Sequence, residues 1–281
     1  MPDVIKAACI QMTSGADVEE NLQTAERHIR AAAEQGATLI ATPEMTDSIM
    51  RYAKDKLASA SDKPAQHFAS LAKELGIWLL AGSFGVKTES ESFESEKLAN
   101  RSMLFSPDGA LHAYYDKIHM FDVKLSRTEF YNESKEYEAG SSAVLADCQD
   151  FKLGMGICYD LRFPHLWRDL AKNGAQILSA PAAFTVPTGK AHWEVLLRAR
   201  AIETGSFVIA PAQIGEHYEG RNTFGSSMII SPWGDILAQC KDDENIIIAE
   251  LELEEVEKAR KSIPALAHDR DYTLNIMHEQ K

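Results

Sequence analysis

The chain has 281 residues, 45% of them hydrophobic and 25% charged, which is ordinary for a globular protein and long enough to bury a sizeable core. Its formal net charge of −13 argues against a nucleic-acid or anionic-membrane partner, either of which needs a basic surface. No apolar run approaches the roughly 18 residues that span a bilayer, and the four cysteines, Cys9, Cys148, Cys158 and Cys240, form no C-x-x-C pair, which fits a reducing cytoplasm better than a disulfide framework.

In chain order, residues 4–11 (VIKAACIQ) read as a strand, too short and too polar at its flanks for a signal peptide. Leu22, Ala25, Ile29 and Ala32 recur at helical spacing up to Gly36, and ATLIATPE follows as a buried strand ending on Glu44, so the first elements form a βαβ unit. DKPAQHFASLAKELG predicts a helix and IWLLAGSF a strand. The charged stretch at 87–100 predicts a surface loop, and RSMLFSPDGALHAYYDK a hairpin turning at Pro107-Asp108-Gly109. Residues 118–140 are mixed and polar, like a long functional loop.

KLGMGIC then reads as a strand with glycines where another backbone must come close, and Pro164 opens a helix that stops at Gly174. Cys158 therefore falls on a tight strand-to-helix turn, which lifts its side chain out of the sheet and aims a helix N-terminus at it. QILSAPAAF predicts a strand and HWEVLLRARAIETG a helix beginning at His192, Trp193 and Glu194. FVIAPAQIG is a strand, SSMIISPWGDILAQC a hairpin, NIIIAELEL a last strand and EEVEKARK a short helix. With no repeat and no break in composition, residues 1–281 are expected to form one domain. Strands alternating with helices, plus two hairpins, predict an α/β protein in which two sheets stack face to face under outer helices.

Ligands in such folds gather at the carboxyl ends of strands, and Glu44, Lys117 and Cys158 all fall there. A cysteine on such a turn is a candidate nucleophile, although a buried structural thiol gives the same local pattern. A glutamate can take the thiol proton, and a lysine with the Tyr159 N–H can receive the oxyanion formed on an attacked carbonyl. Separately, Glu44 could cap a helix and Lys117 could be a solvated strand end. Arg162 is a candidate ligand for a substrate carboxylate, or a partner for Asp160. Phe184 either lines the pocket or packs in the core, Arg198 and Arg200 read as structural, and Cys9 and Cys148 have no assigned role. The histidines show no metal-ligand spacing, so no metal is expected.

The segments ATPEM, YYDKIHMFDV, GICYDLRFP, APAAFTVPTGKAHWEVLLRARAIE and NTFGSSMIISPWG, in that order, resemble the nitrilase (carbon–nitrogen hydrolase) superfamily in its Nit amidase branch, over about residues 4–275. The resemblance implies a four-layer αββα sandwich, a Glu44–Lys117–Cys158 triad, no cofactor, and a homodimer or larger homo-oligomer, with the tail from about 262 to 281 in its contacts. It also implies a second glutamate in a segment that here reads ESKEYEAG, so Glu133 is the match, with Ala139 where proline is usual. The implied reaction releases ammonia and an acid from a small carboxylate-bearing amide through an acyl thioester on Cys158. Deaminated glutathione is the leading substrate. An ω-amidase acting on α-ketoglutaramate or α-ketosuccinamate, an N-carbamoyl amidohydrolase and an inactive scaffold protein are the alternatives.

Overall fold

The computed structural model describes residues 4–88, 97–127, 129–241, 243 and 245–277, so part of the charged stretch, 89–96, lies outside the described residues. The elements in order are β1 (Val4–Gln11), α1 (Val18–Glu34), β2 (Leu39–Ala41), α2 (Ala53–Ser59), α3 (Lys63–Leu75), β3 (Trp78–Lys87), β4 (Leu98–Phe105), β5 (Leu111–Asp116), β6 (Asp122–Lys124), β7 (Phe130–Asn132), β8 (Tyr137–Glu138), β9 (Val144–Asp147), β10 (Lys152–Met155), α4 (Pro164–Lys172), β11 (Ile177–Ser179), α5 (Val186–Thr204), β12 (Phe207–Ala210), β13 (Ile214–Tyr218), β14 (Arg221–Phe224), β15 (Met228–Ile230), β16 (Ile236–Gln239), β17 (Asn245–Glu252) and α6 (Glu254–Ser262). One sheet runs β17-β1-β2-β3-β4-β5 with β8 paired to β4, and a second runs β16-β15-β12-β11-β10-β9. The centres of both are parallel (β1-β2-β3 and β10-β11-β12), flanked by antiparallel strands.

Side-chain alternation along β1 shows how the layers stack. Ile5, Ala7 and Cys9 share a buried cluster with Leu153, Met155 and Ile177 of the second sheet. Ala8 and Ile10 face the other way, against Leu22, Ala25 and Ile29 of α1 and Phe68 and Leu71 of α3. The outer face of the second sheet is covered by Leu166, Trp167 and Leu170 of α4 and by Trp193, Leu197 and Ala201 of α5. The result is the αββα sandwich, in which a fully buried side chain such as Phe68 contributes about 1.5–3 kcal/mol by transfer from water. Asp17 caps α1 by accepting from the Glu20 N–H at 3.1 Å, and Gly76 ends α3 in the left-handed conformation.

Several expectations need correction. Val186, not His192, opens α5, because Pro187 fits its first turn, so Glu194 lies mid-helix beside Arg198 rather than in the first turn. Residues 118–140 hold the β6–β7 hairpin, a single 3-10 turn at Glu133–Lys135 and β8. The charged stretch is entered by strand: β3 runs to Lys87 and β4 starts at Leu98. The glycines of β10 and its turn admit side chains rather than backbone. A Cβ at Gly156 would meet the Trp167 ring at 2.5 Å, and one at Gly154 would meet Leu178 at 2.8 Å.

Candidate active site

Glu44 lies just past β2, Lys117 just past β5 and Cys158 just past β10, so one residue comes from the far sheet and two from the first. The loop carrying Glu44 is pressed onto β3, where a Cβ at Gly82 would stand 1.9 Å from the Thr42 carbonyl oxygen. Both turns are strained, with positive φ at Met45 (54°) and at Cys158 (49°), side chains for which the left-handed region is unfavourable. Cys158 opens a 3-10 turn, Cys158–Arg162, whose C-terminal end runs into α4, and its backbone N–H is tied to the Pro181 carbonyl at 2.9 Å.

The side chains converge on a cleft of about 660 Å³. Lys117, 2% exposed, donates from Nζ to Glu44 Oε1 at 2.9 Å and to both oxygens of Glu133 at 2.9 Å. Asn100, which sequence reasoning missed, donates from Nδ2 to Glu44 at 2.9 Å and to Glu133 at 3.1 Å. The Ala183 N–H holds the other Glu44 oxygen at 2.8 Å, and the Phe121 N–H holds Glu133 at 2.6 Å. A buried ammonium between two hydrogen-bonded carboxylates is a built arrangement, since removing one partner from a buried pair typically costs about 3–5 kcal/mol.

Charge states follow from these contacts. Burial pushes the Glu44 carboxyl up, but the Lys117 ammonium and hydrogen bonds from Lys117, Cys158 and Asn100 hold it below the usual range. Burial alone would discharge Lys117, yet Glu133 and Glu44 keep it protonated. For Cys158, burial and then the negative charge of Glu44 push the thiol well up, against the pull of Lys117. The resting arrangement is a protonated thiol beside a carboxylate and an ammonium. Such a set can move a proton from sulfur to Glu44 while the sulfur attacks, with no free thiolate formed in advance.

The remaining sequence candidates lie beside this cleft. Arg162 does not pair with Asp160. Its guanidinium lies 5.8 Å from the Tyr159 ring and 5.6 Å from the Phe184 ring, with its Nη1 3.3 Å from His192 Nδ1. Phe184 is buried against Trp193 at 4.7 Å. The oxygens of Asp160 are filled instead by Tyr115 Oη (2.8 Å), the Ile157 N–H (2.8 Å), the His119 N–H (3.2 Å) and His119 Nδ1 (2.7 Å). Asp160, two residues past Cys158, thereby grips the segment on both sides of Lys117. Arg200 supports the same turn, donating twice to the Leu161 carbonyl at 3.0 and 2.8 Å. The cleft wall also carries Tyr131 and Arg221, neither foreseen. Tyr131 falls in the stretch 118–140 that reads as a polar loop and Arg221 in a stretch with no predicted element, and only the fold brings them together. Among the described residues, three metal-ligating side chains come together at Glu252, Glu254 and Glu255, all exposed, on β17 and the start of α6.

A family model described as carbon–nitrogen hydrolase matches residues 6–261. The chain is 42% identical over 270 residues to a protein of Synechocystis sp. named deaminated glutathione amidase, covering 93% of this chain and 97% of that one. It is 37% identical over 276 residues to the deaminated glutathione amidase of Homo sapiens, covering 96% and 84% respectively. Among solved structures it resembles Saccharomyces cerevisiae Nit3, described as a member of branch 10 of the nitrilase superfamily, with a TM-score of 0.82, 28% identity, and 93% and 94% of the two chains covered.

Proposed function

The chain belongs to the carbon–nitrogen hydrolase family, and on that premise we propose that it is a cysteine-dependent amidase whose preferred substrate is deaminated glutathione. The observation that carries the chemistry is the contact of Lys117 with Glu44 and Glu133 beside the Cys158 thiol. The substrate rests on the two similar proteins that bear that name.

In this reading Cys158 Sγ attacks the amide carbonyl carbon as its proton passes to Glu44. An ammonium has three N–H groups, and at rest they meet Glu44 Oε1 and the two Glu133 oxygens; giving up one Glu133 oxygen while keeping the other turns one N–H to the developing oxyanion, alongside the Tyr159 N–H. Glu44 then protonates the leaving nitrogen, the C–N bond breaks, and an acyl thioester remains on Cys158. Glu44 next takes a proton from water, whose oxygen attacks the thioester, and the acid leaves with the thiol restored. Glu133 holds Lys117 in place, and through it the charge balance around Glu44. The leaving group depends on the amide. Deaminated glutathione has only secondary amides, so cleaving the one that joins the oxo-acid to cysteine releases an amine, and ammonia is the product only of a primary amide such as α-ketoglutaramate. This corrects the sequence-based expectation of ammonia.

Arg162 is the candidate for the carboxylate of the oxo-acid half, and it would have to leave the Tyr159 and Phe184 rings to reach it. Residues 1–281 are read as a single domain in a cytoplasmic homodimer. The exposed apolar Val195 and Ile202 of α5, with Trp233, Ile263 and the tail residues Tyr272, Leu274, Ile276 and Met277, support that assembly, and four free cysteines fit the reducing compartment. No helix of the described residues is long and apolar enough to cross a membrane.

The test is turnover of deaminated glutathione against α-ketoglutaramate, α-ketosuccinamate and an N-carbamoyl amino acid, read as product acid by chromatography. A specificity constant at least tenfold higher for deaminated glutathione is expected. A preference for α-ketoglutaramate would replace the substrate with that of an ω-amidase, and no turnover of any amide would leave a binding or scaffold protein.

A further inference from the structure

The cleft is larger than a five-carbon amide needs. At the ~30 Å³ that one water molecule occupies in the liquid, the ten or so heavy atoms of α-ketoglutaramate come to about 300 Å³ at most, against about 660 Å³ here. A tripeptide analogue of about twenty heavy atoms comes to about 600 Å³ at most on the same scale and fits within it. Such a substrate also carries two carboxylates, one in the acyl half and one at the end of the leaving amine, and the second needs a cation of its own.

The cations on the cleft wall are Arg51, Lys56, Lys117, Lys135 and Arg221. Lys56 is engaged by Glu136 and Lys117 by Glu44 and Glu133. Arg51 and Lys135 are exposed, where water already satisfies them. Arg221 is different. It is half-buried at the start of β14, beside the tip of a tight hairpin whose Glu219 and Gly220 also line the cleft. Its Nη2 donates to the Ala183 carbonyl at 3.0 Å and its Nη1 to Tyr131 Oη at 3.1 Å, with the guanidinium 5.0 Å from the Tyr131 ring centre. Tyr131 Oη in turn donates to Glu129 at 3.1 Å. Among the described residues no carboxylate pairs with Arg221 directly. Two of its five N–H groups are used to fix the plane of the fork, and three remain.

Its position is also informative. Ala183, whose carbonyl holds Arg221, is the residue whose N–H holds Glu44. The fork is therefore one residue from the reacting centre, on the side of the two hairpins β6–β7 and β13–β14. Cys158, Glu44 and Lys117 form a floor no more than 7% exposed. The acyl half stays on that floor, bound to sulfur, while the amine has to depart past the hairpins.

We propose that Arg221 is a specificity-determining residue that binds the terminal carboxylate of the leaving amine, and so selects an acidic peptide-like amide over a small primary amide. This rests on the substrate reading above. A planar fork already oriented by Ala183 and Tyr131 offers a carboxylate two parallel N–H bonds, and a contact of that kind changes a specificity constant about ten- to a hundred-fold.

The experiment compares deaminated glutathione with its derivative in which the terminal glycine carboxylate is a carboxamide, on wild-type protein and on Arg221→Gln, Arg221→Lys and Tyr131→Phe, with a melting curve for each. The readout is the ratio of kcat/KM for acid over carboxamide, which cancels any general disturbance of Ala183 and Glu44. Wild type should favour the acid by about ten- to a hundred-fold. Arg221→Gln should bring the ratio to within about threefold of unity, Arg221→Lys should keep only part of it because a point charge lacks the fork, and Tyr131→Phe should lower it by severalfold. If Arg221→Gln does not fold, Arg221→Lys carries the test. A wild-type ratio near unity, or a ratio unchanged in the Arg221 variants, overturns the assignment while the substrate stands. Wild type that turns over neither compound but does turn over α-ketoglutaramate overturns the substrate reading, and this inference with it.

Discussion

Asp160→Asn tests whether the buried carboxylate between the Lys117 segment and the Cys158 turn sets their separation. Asp160 is fully buried and accepts four hydrogen bonds on two oxygens, two of them from backbone N–H groups, Ile157 on one oxygen and His119 on the other. An amide in its place can turn either way. Tyr115 Oη can rotate to accept from the new NH2, and the His119 ring can change tautomer to do the same, but neither backbone N–H can adapt. Each orientation therefore strands one buried N–H. Losing one hydrogen bond to a charged acceptor costs about 1.5–3 kcal/mol, and the orphaned donor adds about 1–3 more, which together suggest about 3–5 kcal/mol. At about 2–4 °C per kcal/mol for a chain approaching this size, Tm should fall by about 6–20 °C. Because the same contacts place Lys117 and Cys158, kcat should fall about a hundred-fold in the fraction that stays folded, the usual effect of about 1 Å of misplacement. Calorimetry and steady-state kinetics at a temperature where the variant is folded give both numbers. A Tm within 2 °C of wild type together with kcat within about twofold would refute the reasoning.

Three further outcomes follow from the charge states. In the proposed mechanism Glu44 has to be a carboxylate to take the proton, and it is held below its ordinary 4.5, while the Cys158 thiol is pushed above its ordinary 9.0. Thus kcat/KM should stay flat between those values, lost on the acid side only as pH falls through the depressed Glu44 value, and a rate climbing with thiolate formation near pH 8.5 would contradict it. Burial pushes the Asp47 carboxyl from 3.8 up to about 7, and one of its oxygens has no partner. A raised folded value means stability is full below 3.8 and is lost as pH rises through about 7. Asp47→Asn should therefore melt above wild type at pH 8, by up to roughly 4 kcal/mol at 1.36 kcal/mol per unit, with the gap closing toward pH 4; a gap independent of pH would rule this out. EDTA should leave turnover unchanged, because a carboxylate, an ammonium and a thiol already in contact suffice for the proton transfers. Loss of activity restored by zinc or manganese would overturn that.

Much of the fold was legible because its helices and long strands have clear periods. α1 shows Leu22, Ala25 and Ile29 on one face, and β1 and β17 are eight residues each. β2 and β11 have three residues each, too few for a period to show their ends, so the sequence predicts both longer than they are. The start of α5 does not show in the sequence, because Val186, Pro187, Thr188 and Gly189 carry no helical period, although Pro187 and the close fit of Gly189 against Phe224 suit a first helical turn. At the site, strand ends brought Glu44, Lys117 and Cys158 into view, and Glu133 came only through the family resemblance. Asn100 was hidden at the edge of a charged stretch, and nothing local in KLAN says that its amide turns inward between two glutamates. Arg162 stands out in the sequence because it follows Cys158 by four residues, whereas Arg221 reaches the cleft only through the fold of the β13–β14 hairpin, which no local pattern shows.

The proposed reaction passes through a covalent acyl thioester at Cys158. Protein quenched during turnover of a slow amide substrate, digested and read by mass spectrometry, should carry the acyl mass on the peptide containing Cys158 and not on those containing Cys9, Cys148 or Cys240, and Cys158→Ala should show neither adduct nor turnover. An acyl mass on another residue, or Cys158→Ala retaining more than a few per cent of wild-type turnover, would contradict it.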